Sequence, residues 1–125
     1  MPNSRQISKP KVYDLEERTF EFAKRGRDFI KQIPRSITNI EYGSQCTRST
    51  GSVAANYIEA NEAISKKDCY HRLKICRKEA KESKLWLRLI DIGNNQNLSA
   101  EQKALINETL ELVKIFSAII VKYKQ

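Results

Sequence analysis

Histidine is nearly absent: His71 is the only one in the chain. A general base needs a positioned nucleophile or acid beside it, and neither a Ser/His/Asp nor a Cys/His signature surrounds His71. Cysteine is scarce too, and its number is odd: Cys46, Cys69 and Cys76. No paired disulfide framework can be drawn from three residues. On a helix, the separation of Cys69 and Cys76 amounts to about 10 Å of rise, beyond the reach of a disulfide. Cys69, His71 and Cys76 do not have the spacing of a structural zinc motif. The reading is therefore free, buried thiols in a reducing, cytoplasmic setting, with no metal, no cofactor and no catalytic residue.

Helix breakers are few. There are 4 Gly and 3 Pro, and Pro2 and Pro10 fall in the first ten residues. This excludes a many-turned sheet protein and favours long helices. Neither Gly43 nor Gly51 opens a phosphate-cradling loop. Long apolar runs are missing as well. The longest C-terminal stretch, Ile115 to Val121, includes Ser117 and is far short of the ~20 residues of a membrane span. The first twelve residues are polar, carry Arg5, Lys9 and Lys11, and have no apolar segment of the secretory kind.

What remains is a chain of 125 residues with 40% hydrophobic and 30% charged residues, enough for one domain with its own core. Residues 1–12 read as a basic leader and residues 13–125 as the domain. A first helix starts near Asp14, which can cap, with Glu17 placed as in a capping box. Leu15, Thr19, Phe22, Phe29, Ile30 and Ile33 follow at helical spacing, and Pro34 ends the helix at or before Ile33. A second helix is expected from about Arg35 to Ile64. Val53, Tyr57, Ala60 and Ile64 form its stripe, although propensity alone would make the Ser/Thr/Gly-rich stretch from Gly43 to Ser52 a loop. Ser65 caps a third helix. Its seam of Cys69, Leu73, Cys76, Ala80, Ser83, Leu87 and Ile90 alternates at three and four residues. Gly93 and the polar run Asn94 to Asn97 stop it. Ser99 and Gln102 suggest another capping box, and Ile106, Thr109, Val113, Phe116, Ile120 and Tyr123 share one face of a fourth helix. Short connections between these segments predict an up-down-up-down antiparallel four-helix bundle.

The formal net charge is +8, and it is not spread evenly. Residues 65–93 hold nine basic and four acidic groups. With Leu73 as zero and about 100° per residue, the third-helix seam spans roughly −100° to 0°, while Lys67, Lys74, Arg77, Lys78, Lys81, Lys84 and Arg88 fall between roughly 20° and 140°. A continuous basic stripe is what phosphate contacts require. A solvated helix face with some arginines paired to carboxylates would show the same pattern, and Arg77 is the arginine nearest the core edge. No spacing for reading bases is present, so charge and shape would govern any nucleic-acid binding.

The fourth helix carries a second apolar stripe, Leu105, Leu112 and Ile119, and Leu85, Leu89 and Ile92 lie off the third-helix seam. Apolar residues beyond one buried face predict a subunit interface. Glu59 and Glu62 are the candidate carboxylate pair, read here as ion-pair partners of Arg72 or Arg77.

Several segments resemble one family. Tyr13-Asp14-Leu15-Glu16-Glu17-Arg18-Thr19 looks like the opening motif of the 23S ribosomal RNA intervening-sequence proteins. Asn39-Ile40-Glu41-Tyr42-Gly43 and Gly51-Ser52-Val53-Ala54-Ala55-Asn56-Tyr57-Ile58-Glu59-Ala60 look like its second-helix motifs. Lys74-Ile75-Cys76-Arg77-Lys78-Glu79-Ala80, Glu82-Ser83 and Trp86-Leu87-Arg88-Leu89 look like the third. The resemblance covers about residues 13–122 and leaves the leader out. It implies a bacterial four-helix bundle, helix through the Ser/Thr-rich stretch, and a ring-like homo-oligomer, usually a pentamer. It also implies structural or functional polar positions at Asn56, Glu59, Arg77 and Glu79. Family members occur within inserts of 23S ribosomal RNA genes. Relatives serve as accessory proteins of diversity-generating retroelements, binding nucleic acid and a reverse transcriptase. Two roles are thus expected: binding of RNA or DNA, or a scaffold that recruits a protein partner.

Overall fold

The computed structural model describes residues 14–124. The basic leader expected over residues 1–12, and Tyr13 of the opening motif, lie outside the described residues. Within them the protein is all-α. Helix α1 runs Leu15–Gln32, α2 Ile37–Asn61, α3 Lys66–Leu89 and α4 Gln96–Lys124.

Local chemistry sets most of the boundaries. The Asp14 carboxylate accepts the Glu17 backbone N–H at 3.3 Å. The hydroxyls of Ser36 and Ser65 each accept the N–H three residues on, at 3.1 Å. These caps satisfy donors that have no partner within the helix. Ile33, immediately before Pro34, is extended and closes α1. Gly93 has φ +66°, a left-handed conformation that glycine adopts without steric cost. It marks the turn between α3 and α4.

Side-chain partners give the topology. Gly26 faces Thr50, and Ile30 faces Gly43. Between α2 and α3, Asn39 bonds Asp91 and Arg72 bonds Asn56. Between α3 and α4, Cys69 bonds Tyr123 and Gln102 bonds Leu87. Arg18 pairs with Glu108, and Arg25 with Glu101. In each case numbers rise along one helix as they fall along its partner. Every neighbouring pair is therefore antiparallel, and α4 closes back on α1, which makes an up-down-up-down bundle.

The axis is filled by Phe22 and Phe29 from α1, Cys46 and Val53 from α2, Leu73, Cys76 and Leu87 from α3, and Leu105, Leu112 and Phe116 from α4, all at 2% exposure or less. Each large apolar side chain so buried contributes about 1.5–3 kcal/mol. Small residues sit where helices approach most closely. Gly43, Ser49 and Thr50 are buried, which is why the Ser/Thr/Gly-rich stretch is helical despite its propensity.

Three expectations need correction. Helix α2 ends at Asn61, so Ile64 leaves the stripe and is 96% exposed. Helix α4 starts three residues before Ser99. Asn95 caps it by accepting the Leu98 N–H at 2.9 Å, and Gln102 instead donates to the carbonyls of Leu87 and Ile90. Leu105 and Leu112 are 0% exposed. They are core residues enclosed by the chain's own helices and cannot face another subunit. Because α4 packs on both α1 and α3, it buries a wider arc than one stripe.

Candidate nucleic-acid interface

Helix α3 presents its seam to the core and seven of its basic residues to one outer flank, while Arg72 turns to Asn56 on α2. Lys67, Lys74, Lys78, Lys81 and Arg88 are exposed, and Lys84 is half-buried. The Lys74 ammonium lies 5.0 Å from the centre of the Tyr70 ring, a cation–π contact that leaves its charge outward. Lys78 has a carboxylate at 3.7 Å, on Glu79. Among the described residues, Lys67, Lys74, Lys81, Lys84 and Arg88 form no ion pair. Their charge is not neutralised by the visible fold.

Arg77 behaves differently. It is half-buried and donates to the Ser117 hydroxyl at 3.2 Å. It joins α3 to α4 at the inner edge of the stripe, as its angular position predicts.

At its lower end the stripe borders an open groove of about 320 Å³ between α3 and α4. Lys81, Lys84, Leu85, Arg88, Leu110 and Val113 line it. Leu85, Leu89 and Leu110 are 44%, 43% and 41% exposed. The expected interface residues therefore divide. Leu85 and Leu89 remain on the surface, Ile92 and Ile119 are half-buried, and Leu105 and Leu112 belong to the core. Leu110 lies apart from both stripes of α4, so the sequence pattern does not mark it.

The four polar positions do not form one network. Asn56 accepts from the Arg72 guanidinium at 3.0 Å and donates to Ser52. Arg77 turns to α4, while Glu79 lies on the opposite flank of α3 beside Lys78. At about 100° per residue, positions 77 and 79 point to different neighbours. Glu59 is exposed, and among the described residues neither it nor Glu62 forms an ion pair with Arg72 or Arg77. The expected ion-pair network is replaced by the Arg72–Asn56 hydrogen bond. Glu59, Glu62, Asp68, His71 and Arg72 instead share an open cleft. Among the described residues no group of three or more His, Cys, Asp or Glu could hold a metal ion.

Burial pushes the Cys46 and Cys76 thiols up to about 12, so neither supplies a thiolate near neutral pH. Among the described residues no helix is long and apolar enough to cross a membrane.

The fold agrees with the family comparison. The model of the 23S rRNA-intervening sequence protein family matches residues 11–118, and the chain belongs to that family. No curated protein matches it. A crystal structure of a protein of unknown function from the S23 ribosomal protein family of Bacteroides thetaiotaomicron matches with a TM-score of 0.71. The two are 27% identical, over 89% of this chain and 98% of that one.

Proposed function

We propose that this protein is a non-enzymatic, oligomeric accessory protein of the bacterial cytoplasm that binds structured RNA or DNA through Lys67, Lys74, Arg77, Lys78, Lys81, Lys84 and Arg88. One observation carries the reading: seven cations of α3 lie along one flank, and among the described residues all of them but Lys78 have no carboxylate partner. Phosphates that displace counterions from such a line would bind with strong salt dependence. Aromatic side chains for stacking bases are not interleaved with the cations beyond Tyr70, so the surface suits a folded backbone better than an extended single strand. The family's association with 23S rRNA sequences supports the same reading. The assembly is a ring-like homo-oligomer, a pentamer by the resemblance to the family.

The exposed Leu85, Leu89 and Leu110 favour a second role, recruitment of a protein partner such as a reverse transcriptase.

The test is a titration of the purified protein against a structured RNA and a DNA duplex. Reversing Lys67, Lys74 and Lys78 to Glu should weaken binding at least about tenfold. Undiminished binding by the folded variant would overturn the stripe as the contact surface and leave the scaffold role.

A further inference from the structure

The start of α1 opposes the chain's overall charge. In a protein of net charge +8, residues 14–21 carry Asp14, Glu16, Glu17 and Glu21 against one cation, Arg18. That cation is already held by Glu108, at 2.8 and 3.0 Å. Phe20 protrudes near the end of this acidic segment and is 52% exposed. Glu16 and Glu17 lie one turn before it and Lys24 one turn after, all exposed. The exposed half of this phenylalanine, in water among carboxylates, is left uncovered by the fold of its own chain.

The groove between α3 and α4 has the opposite character. It is lined by the apolar Leu85, Leu110 and Val113 together with the cations Lys81, Lys84 and Arg88. It offers aliphatic contact for a ring and cations for the carboxylates around it.

The two surfaces cannot meet within one chain. Arg18 and Arg25 mark the side of α1 that faces α4, and Phe20 lies on the side turned away from it. The groove lies beyond α4, on its junction with α3. Two unlike, complementary surfaces facing different directions make a head-to-tail contact, which closes into a ring when the rotation per copy allows.

We propose that the Phe20 face of one copy, with Glu17 and Glu21, docks into the Lys81–Lys84–Leu85–Arg88–Leu110 groove of the next. This rests on the oligomeric part of the proposed function and goes beyond it by naming both halves of the contact. Phe20 is the buried anchor, and the charged rim sets register and excludes like-charged pairings. In the assembly the phosphate-contacting part of the stripe is thereby narrowed to Lys67, Lys74 and Lys78, while Lys81, Lys84 and Arg88 serve the neighbouring copy.

The experiment is the mass of the full chain in solution, by light scattering over a concentration series, with helicity checked by circular dichroism. The acidic-face variant E17K/E21K and the groove variant K81E/R88E should each fall toward the 14.5 kDa of one chain. Combining all four changes in one chain restores opposite charges across the contact and should recover assembly. Phe20→Ser, a change at an exposed position, should raise the dissociation constant at least about tenfold and decides the matter if a charge variant is misfolded. A wild-type protein that is a monomer throughout would overturn the oligomeric reading and this contact together. A wild-type oligomer whose mass survives Phe20→Ser and both reversals would overturn this contact alone.

Discussion

The hydroxyls of Ser49 and Ser83 lie 2.7 Å apart where α2 crosses α3, at 2% and 0% exposure. They share a hydrogen bond in a place that water does not reach. Ser49 also donates to the Cys46 carbonyl at 3.3 Å, so it is Ser49→Ala that strands its partner Ser83, at a cost of about 1–3 kcal/mol, whereas replacing both removes the unmet group. Urea unfolding should therefore give S49A/S83A a smaller loss than the sum of the two single variants. Additive losses would mean that the hydroxyls do not depend on one another.

Gly26 and Gly51 are both helical and should respond oppositely to a side chain. A Cβ on Gly26 would meet the Thr50 side chain at 3.2 Å, while one on Gly51 would meet nothing within 4 Å. Gly51→Ala should stabilise the protein by about 0.5–1 kcal/mol through helix propensity. Gly26→Val should destabilise it by about 1–3 kcal/mol through overpacking. Thermal midpoints moving in the same direction for both would contradict this packing of α1 on α2.

The buried thiols predict a pH dependence with a definite sign. Burial raises Cys46 and Cys76 from 9.0 to about 12. Their stabilising contribution is complete below the unfolded value. It is lost as pH rises from about 9 toward 12, because the unfolded thiols ionise and the folded ones do not. Each should add about 1.4 kcal/mol per pH unit to the fall in stability over that window. C46A/C76A should show a flatter decline in denaturant unfolding between pH 9 and 10.5. At pH 8 a thiol reagent should label half-buried Cys69 first and reach Cys46 and Cys76 only on unfolding. Equal labelling rates for all three would contradict their burial.

Much of this fold is legible residue by residue. Asp14 and Ser65 are caps because a short polar side chain precedes an apolar periodicity, and both accept the hydrogen bonds so predicted. The α3 seam follows from spacing alone. Where the reading failed, the deciding contact was distant in sequence. Gln102 fits a capping box with Ser99, yet its amide is committed to the carbonyls of Leu87 and Ile90 at the end of another helix. Asn39 is only a motif position in the sequence. In the fold it is buried, donates to the Pro34 and Asp91 carbonyls, and accepts the Asp91 N–H. It thus ties the α1–α2 turn to the α3–α4 turn.

The candidate site was legible to a similar degree. The angular clustering of cations on α3 needs only the helical period, and the flank of exposed cations follows it. Which apolar stripe of α4 faces inward needs the positions of α1 and α3, which no local pattern contains. Leu105 and Leu112 accordingly read as surface residues yet are core, and Leu110 on the groove carries no local signal.

The most direct test of the account is the salt dependence of nucleic-acid binding. The dissociation constant of the wild-type protein for a DNA duplex, measured from 50 to 300 mM salt, should rise steeply. The log–log slope should correspond to about 0.9 per phosphate contacted, and the triple reversal of Lys67, Lys74 and Lys78 should reduce it by roughly 3. Its oligomeric mass should be unchanged, since those residues lie outside the proposed copy contact. A folded protein of unchanged mass that binds neither duplex nor structured RNA at 50 mM salt, or binds with a slope near zero, would contradict the claim that the α3 stripe contacts phosphate.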